Sequence, residues 1–296
     1  MRLQDAVVVI TGSTRGFGNA LARALLDKGA RVVISGRKQE TVDRVVAELS
    51  TLGEVTGLAC DVSQAEQVYA LARFALARYG RIDVWVNNAG VTPPPGGVLD
   101  FPPEEAEQTF RVNCLGTLHG TQAAIAIMRR QGHGTIVNLY GRGSDLKPAT
   151  PSGLYGATKA WITSFTRTVA AEYRGLPVRI IGFSPGMMTT DMLTDVPHVV
   201  GETVARTMRN FPMALEALGN PPEVPAAELV RLLERNEKPF VEYRLMRGLR
   251  MMKMLARLAW MGLNRRARPP EQTFAVIPAF EPPLDDVGVG SRLAAE

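Results

Sequence analysis

The chain has 296 residues, a formal net charge of +5 with histidine neutral, 46% hydrophobic residues and two cysteines. That length and apolar content suit one large α/β domain and exclude a disordered chain or a small disulfide scaffold. No apolar run reaches membrane-spanning length, and Cys60 and Cys114 lack metal-ligand spacing, so a cytoplasmic protein with reduced thiols and no metal is expected.

Met1-Arg-Leu-Gln-Asp5 leads directly into Ala6-Val-Val-Val-Ile10, a β-branched run of the kind buried on both faces of a sheet. The run enters Thr11-Gly-Ser-Thr-Arg-Gly-Phe-Gly18, and a helical pattern follows through Ala20, Leu21, Ala24 and Leu25. Strand, glycine turn and helix form the context in which free N–H groups at a helix N-terminus receive a pyrophosphate. The spacing is Gly12-x-x-x-Gly16-x-Gly18, and an ordinary strand-to-helix loop is the alternative. Further strand-like runs lie at Arg31–Ser35, Val55–Cys60, Ile82–Asn87, Thr135–Leu139 and Val178–Phe183, with helical stretches between them. That alternation predicts parallel βαβ winding in a doubly wound, Rossmann-like sheet, with ligands at the carboxyl ends of the strands.

After the second run the chain reads Ile34-Ser-Gly-Arg-Lys38, without the acid that binds a ribose 2′-hydroxyl in NAD-preferring folds of this type. Arg37 offers a planar donor fork to a 2′-phosphate, and Lys38 and Arg15 add charge, so NADP(H) is the expected cofactor. The alternative is that Arg37 and Lys38 merely open an exposed helix. Between Leu154 and Glu172 a helix places Tyr155 and Lys159 at i and i+4, one above the other. An ammonium beside a phenol favours the phenolate, so Lys159 is expected to lower the Tyr155 pKa and make it a general acid or base. Alone, Tyr-x-x-x-Lys also fits a solvated surface.

Taken in order, these motifs resemble those of the short-chain dehydrogenase/reductase family over about residues 4–195, with a fainter match to about 245. Asn87-Asn-Ala-Gly90 resembles its Asn-Asn-Ala-Gly motif, and Ser184-Pro-Gly-Met-Met-Thr-Thr190 its Pro-Gly turn. The resemblance implies cofactor contacts from Gly12, Ser13, Thr14, Arg15, Gly16, Phe17 and Gly18, and from Arg37, Asp61 and Val62. It adds Asn88, Ala89, Gly90, Tyr155, Lys159, Pro185, Gly186, Met188 and Thr190. Tyr155 and Lys159 would be catalytic, with Asn113 holding a proton-relay water. The family's serine position, three beyond the asparagine of the fifth strand, is Gly141 here, and Ser144 follows three residues later. Either Ser144 supplies the hydroxyl from a remodelled loop, or the site is impaired. The Asn-x-x-Gly-x-Gly-Ser-Asp pattern from Asn138 is similar to a narrower branch, the chlorophyll b reductase-like proteins, which favours Ser144.

These readings imply hydride transfer between NADPH and a ketone or aldehyde. The alternative is a catalytically impaired NADP(H)-binding sensor or scaffold. A substrate lid is expected at about 187–220, where Met187, Met188, Met192, Leu193, Val199, Val200, Met208, Phe211 and Met213 fit a bulky apolar ligand or simply pack the lid. A helix at Val224–Arg235 and a strand at Pro239–Tyr243 would complete a catalytic domain of residues 1–245. Beyond it, Arg244–Arg268 carries eight basic residues and no acidic one. Arg247, Arg250, Lys253 and Arg257 share one side of a helix, and Leu245, Leu249, Met252, Leu255 and Ala259 the other. The apolar side is expected to pack on its own domain or a sister subunit, ahead of peripheral membrane contact, and nucleic-acid binding is not expected. The Pro-rich end after Arg268 reads as a disordered tail within a 246–296 extension. Family resemblance further implies a homo-oligomer, dimer or tetramer, through helices at about 103–130 and 154–172.

Overall fold

The computed structural model describes residues 1–246, 248–264 and 269–283. β1 (Val7–Ile10) is an interior strand of a seven-stranded, all-parallel sheet and is buried at every position. Its neighbours are β2 (Arg31–Gly36) and β4 (Val84–Asn87). β3 (Val55–Ala59) forms one edge, while β5 (Gly134–Leu139), β6 (Val178–Ser184) and β8 (Phe240–Arg244) continue the other way. The order β3-β2-β1-β4-β5-β6-β8 reverses direction between β1 and β4, which opens a crevice at their carboxyl ends.

Alternation along the strands divides the core. Val8, Ile10, Val32 and Phe183 face α1 (Gly16–Leu26) and α10 (Glu223–Arg235) on one side, and Val9, Val33, Trp85 and Ile136 form a second core on the other. α3 (Ala65–Tyr79) and α5 (Gly116–Gln131) cover that second face, and α2 (Gln39–Leu49) packs beside β2 and β3. α4 (Pro103–Phe110) runs through a π-helical turn (Arg111–Leu115) into α5, and α6 (Gly153–Glu172) packs along that turn.

A chain of paired side-chain amides and hydroxyls threads the second core. Trp85 Nε1 donates to Asn87 Oδ1 at 2.8 Å, and Asn87 Nδ2 donates to Asn138 Oδ1 at 2.8 Å and Thr121 Oγ1 at 3.1 Å. Asn138 Nδ2 continues to Thr166 Oγ1 at 3.0 Å, so β4, β5, α5 and α6 are locked in one register.

The segment read from the sequence as a lid folds, over residues 191–218, into α7 (Asp191–Thr194), β7 (His198–Val200), α8 (Glu202–Met208) and α9 (Phe211–Leu218), and is called the lid below. The expectation of a disordered tail does not hold for residues 269–283. There β9 (Ala275–Ile277) pairs in parallel with β7, and Phe274 is buried with Val199 and Met208. A short β-branched stretch flanked by proline gains stability only by joining this small core, which a reading of local sequence does not capture. Residues 284–296 lie outside the described residues.

α11 (Gly248–Leu263) packs on α9, but not through the expected side. Leu245, ahead of the helix, is buried, whereas Met252, Leu255 and Ala259 are exposed and the contact side carries Met254, Leu258 and Met261. A helical wheel yields two sides without saying which one the domain covers. Of the basic residues, Arg247, Arg265, Arg266 and Arg268 lie outside the described residues, as do the side chains of Leu249 and Arg250.

Removing the Phe274 ring deletes a buried aromatic, which in a full core costs about 3–5 kcal/mol. Here the loss falls on the small lid core. Phe274→Ala should therefore speed limited proteolysis between residues 201 and 215 while leaving the global unfolding midpoint almost unchanged.

Candidate active site

Thr11 ends β1 and fixes the glycine turn. Its Oγ1 accepts the N–H groups of Asn88 at 3.0 Å and Ala89 at 3.1 Å. In return Asn88 Nδ2 donates to the carbonyls of Thr11 at 2.8 Å and Gly12 at 2.9 Å. Gly12 has φ +62°, and a Cβ there would come within 2.8 Å of Ala89 Cα, so only glycine lets the two turns touch. Ser13 is held against β2, donating to the Ile10 carbonyl at 2.7 Å and accepting from Ser35 N at 3.0 Å. Thr14 sits over Gly36, where a Cβ would meet its methyl at 2.7 Å. α1 then starts at Gly16 with no side-chain cap and no acid in its first turn, so the amides of Gly16, Phe17 and Gly18 face an anion-receptive end.

Around this turn the other expected cofactor residues assemble. Thr190 of the Pro185–Gly186 turn lies 3.7 Å from a Cβ built on Gly16, and Met188 packs against the first core. Gly186 has φ +79° and lies under Met246. Arg37, Asp61, Ser63, Arg111 and Val112 line a cavity of about 300 Å³ beyond the ends of β2 and β3. Val62 is buried beside it. Glu104 and Glu107 share that cavity, and Arg111 is paired with Glu107 at 2.6 Å. Arg15 points to the lid, 3.7 Å from Asp191, with both side chains largely exposed. Such a pair is weak and yields readily to a phosphate. An uncapped helix end and two turns brought into contact by glycine fit the pyrophosphate of a dinucleotide, while the cavity beyond sets Arg37 and Arg111 among the carboxylates of Asp61, Glu104 and Glu107.

Tyr155 and Lys159 project from α6 toward the end of β5. Lys159 Nζ donates to the Leu139 carbonyl at 3.0 Å and lies 5.5 Å from the centre of the Tyr155 ring. A Cβ on Gly90 would come 3.9 Å from the same Nζ, which puts the ammonium at the junction of both turns. Burial pushes Lys159 down to about 8 and the Tyr155 phenol up to about 12. The second shift is upward overall, where a lowered phenol was expected. With the ammonium engaged at Leu139, desolvation of the phenolate prevails.

Asn113 is fully buried in the π-helical turn, where its Oδ1 accepts from Val91 N at 2.8 Å. Its Nδ2 donates to the Val91 carbonyl at 2.9 Å and to Thr158 Oγ1 at 3.0 Å. The side chain therefore clamps the loop after Gly90 to α6. Thr158 completes that clamp, and no motif in the sequence singles it out.

Ser144 does not take the place expected of it. It is fully buried, its Oγ donating to the Gly141 carbonyl at 2.6 Å while Thr163 Oγ1 donates to its own carbonyl at 3.1 Å. Arg244 Nη2 also donates to that carbonyl, at 2.8 Å. Position 141 is the one beside the phenol, since a Cβ there would come 2.6 Å from Tyr155 Oη and 3.1 Å from Lys159 Cγ. Spacing alone could not tell which side of the loop each residue faces. Arg244, which buttresses this loop, reads in the sequence only as one of the basic C-terminal residues. In the lid, Val199, Met208 and Phe211 pack among themselves, whereas Met192 is exposed, so only part of the expected apolar set can meet a ligand.

The family model for short chain dehydrogenase matches residues 6–199. The probable chlorophyll(ide) b reductase NYC1, chloroplastic, of Arabidopsis thaliana is 34% identical over 231 residues, covering 68% of this chain and 47% of that protein. The chain thus spans about half the length of this relative. An alcohol dehydrogenase from Thermococcus sibiricus, complexed with 5-hydroxy-NADP, is 27% identical with a TM-score of 0.69, covering 83% of this chain and 97% of that one. A short chain dehydrogenase/reductase from Burkholderia phymatum, in complex with NAD, shares the fold at 23% identity and a TM-score of 0.72, covering 93% of this chain and 99% of that one.

Because the phenol occupies the space above Gly141, restoring a serine should not help. Gly141→Ser and Gly141→Ala should each lower stability by about 1–3 kcal/mol through overpacking. Ser144→Ala should cost about 1 kcal/mol for one lost hydrogen bond. Urea unfolding of the three variants checks both values.

Proposed function

The chain belongs to the short chain dehydrogenase family, and from that premise we propose that it is an NADPH-dependent reductase of bulky apolar ketones or aldehydes. The observation that carries this reading is the placement of Tyr155 and Lys159 against Gly90 and Gly141, at the crevice where β1 and β4 diverge. Support for the 2′-phosphate comes from Arg37, Lys38 and Arg15, with no carboxylate at the end of β2. The relative named as a chlorophyll(ide) b reductase supports a large carbonyl substrate.

In this proposal the glycine turn and the first turn of α1 hold the pyrophosphate, Arg37 holds the 2′-phosphate, and the Pro185–Gly186 turn covers the nicotinamide end. When bound, NADPH supplies the hydride. Tyr155 donates its phenolic proton to the substrate oxygen, which develops negative charge as the carbonyl is reduced. The Lys159 ammonium stabilises the phenolate left behind. Asn113 and Thr158 act by position, since they hold the Gly90 loop at a fixed distance from α6. Gly141 offers no hydroxyl to orient the carbonyl, so orientation falls to the cofactor face and the lid.

That missing hydroxyl is also what favours the second reading, an NADP(H)-binding sensor or scaffold. NADPH oxidation against a panel of ketones, aldehydes and quinones separates the two. Turnover supports the reductase, and tight NADPH binding without turnover supports the sensor.

Three outcomes follow from the reductase reading. NADPH should bind at least about tenfold more tightly than NADH, about 1.4 kcal/mol, and Arg37→Ala should erase most of that preference in cofactor titrations. Tyr155→Phe should abolish turnover while leaving NADPH affinity nearly intact. Reduction needs a charged Lys159, whose pKa burial sets at about 8. The reductive rate should therefore hold at lower pH and fall as pH rises through that value, in a steady-state pH profile.

A further inference from the structure

α11 turns an apolar side to solvent. Met252 is 66% exposed, Leu255 51%, Trp260 56% and Leu263 88%. At 3.6 residues per turn these four, with exposed Ala256 and Ala259, fall in one arc of about 140°. The side toward the domain carries buried Met261 with half-buried Met254 and Leu258, and rests on α9. The outward arc is therefore separate from the helix's own packing side. Exposed Lys253 and Arg257 border it along one edge, and Arg257 also reaches Glu216 of α9 at 3.4 Å.

The charge carried by this stretch of sequence has one sign. Arg244–Arg268 holds eight basic residues and no acidic one, although the whole chain is only +5. Among the described residues no helix is long and apolar enough to cross a membrane. A helix with an outward apolar arc, an outward tryptophan and a basic border matches the composition of helices that lie in a lipid interface. A second copy of the chain is a poorer occupant, because joining two such arcs brings like charges together.

We propose that α11 lies in the plane of an anionic lipid surface, with Met252, Leu255, Trp260 and Leu263 at the boundary of headgroups and acyl chains and Lys253 and Arg257 against lipid phosphates. Because α11 packs on α9, this docking sets the lid beside the bilayer, where apolar carbonyl compounds dissolve. That consequence rests on the reductase reading, whereas the docking itself does not and is measured without turnover.

The test is co-sedimentation of the full chain with vesicles of phosphatidylcholine, with and without phosphatidylserine. The expected result is binding to the anionic vesicles alone, weakening at least about tenfold as salt rises from about 0.1 M to about 1 M and the Debye length contracts. Brominated acyl chains should quench tryptophan emission in the wild type, and that quenching should be lost in Trp260→Phe. Met252→Gln/Leu255→Gln/Leu263→Gln keeps the charge and touches only exposed side chains, and it should lose about tenfold or more in binding. No sedimentation with anionic vesicles overturns the proposal, and so does equal binding by the triple variant. A wild-type dimer that the triple variant converts to monomer also overturns it, by showing that a second copy covers the arc.

Discussion

The clasp between Thr11 and Asn88 is the constraint on which the remaining geometry depends. A parallel sheet that reverses its winding leaves two adjacent strands whose loops depart in opposite directions, and nothing in the ladder itself fixes those loops to each other. Here a hydroxyl from one strand end and an amide from the other exchange hydrogen bonds with both backbones. The glycine turn, the Gly90 loop and, through Asn113 and Thr158, helix α6 are then all referred to one point. Alongside, the hydrogen bond donated by Asn87 Nδ2 to Asn138 Oδ1 ties β4 to β5 in the same way. Asn88 is half-buried, the other side chains are buried, and all are paired, so a change to any one leaves its partner exposed to the cost of an unmet hydrogen bond.

The pair Tyr155 and Lys159 shows what burial does to such a frame. Desolvation opposes charge on both groups, raising the phenol and lowering the ammonium. Across the neutral range Tyr155 therefore keeps its proton, and Lys159 is the first of the two to titrate. In the proposed reduction Tyr155 is then a proton donor whose companion charge is adjustable. This differs from a simple pairing in which the lysine creates a phenolate, and it makes the Leu139 carbonyl part of the electrostatics of the site.

Much of the sheet was legible in the sequence because strands buried on both faces must be continuous apolar runs, as Val7–Ile10 and Val84–Asn87 are. The glycine turn and the Tyr155–Lys159 pair were legible because their spacing is local. What failed depended on direction. Ser144 and Gly141 lie three residues apart in one loop, and only the fold decides that Gly141 faces the phenol while Ser144 faces Arg244. The outward side of α11 failed for the same reason, since amphipathicity names an axis and the neighbour chooses its sense. β9 went unread because three residues have no meaningful period, and its partner lies far away in sequence.

That strand gives the lid an unusual construction. β7 and β9 come from opposite sides of the last sheet strand and the long helix after it, and Gly201 N bonds the Ile277 carbonyl beyond their ladder. Phe280 N reaches the Asp100 carbonyl on the far rim, so the same segment fastens roof to wall. The family match stops at residue 199, at β7 itself. The sheet and its first core still need β8 and α10 from beyond that point, while the roof joins two pieces of chain that lie far apart in sequence. Selection for a new ligand has a seam to work along, and the seam runs between β7 and β9.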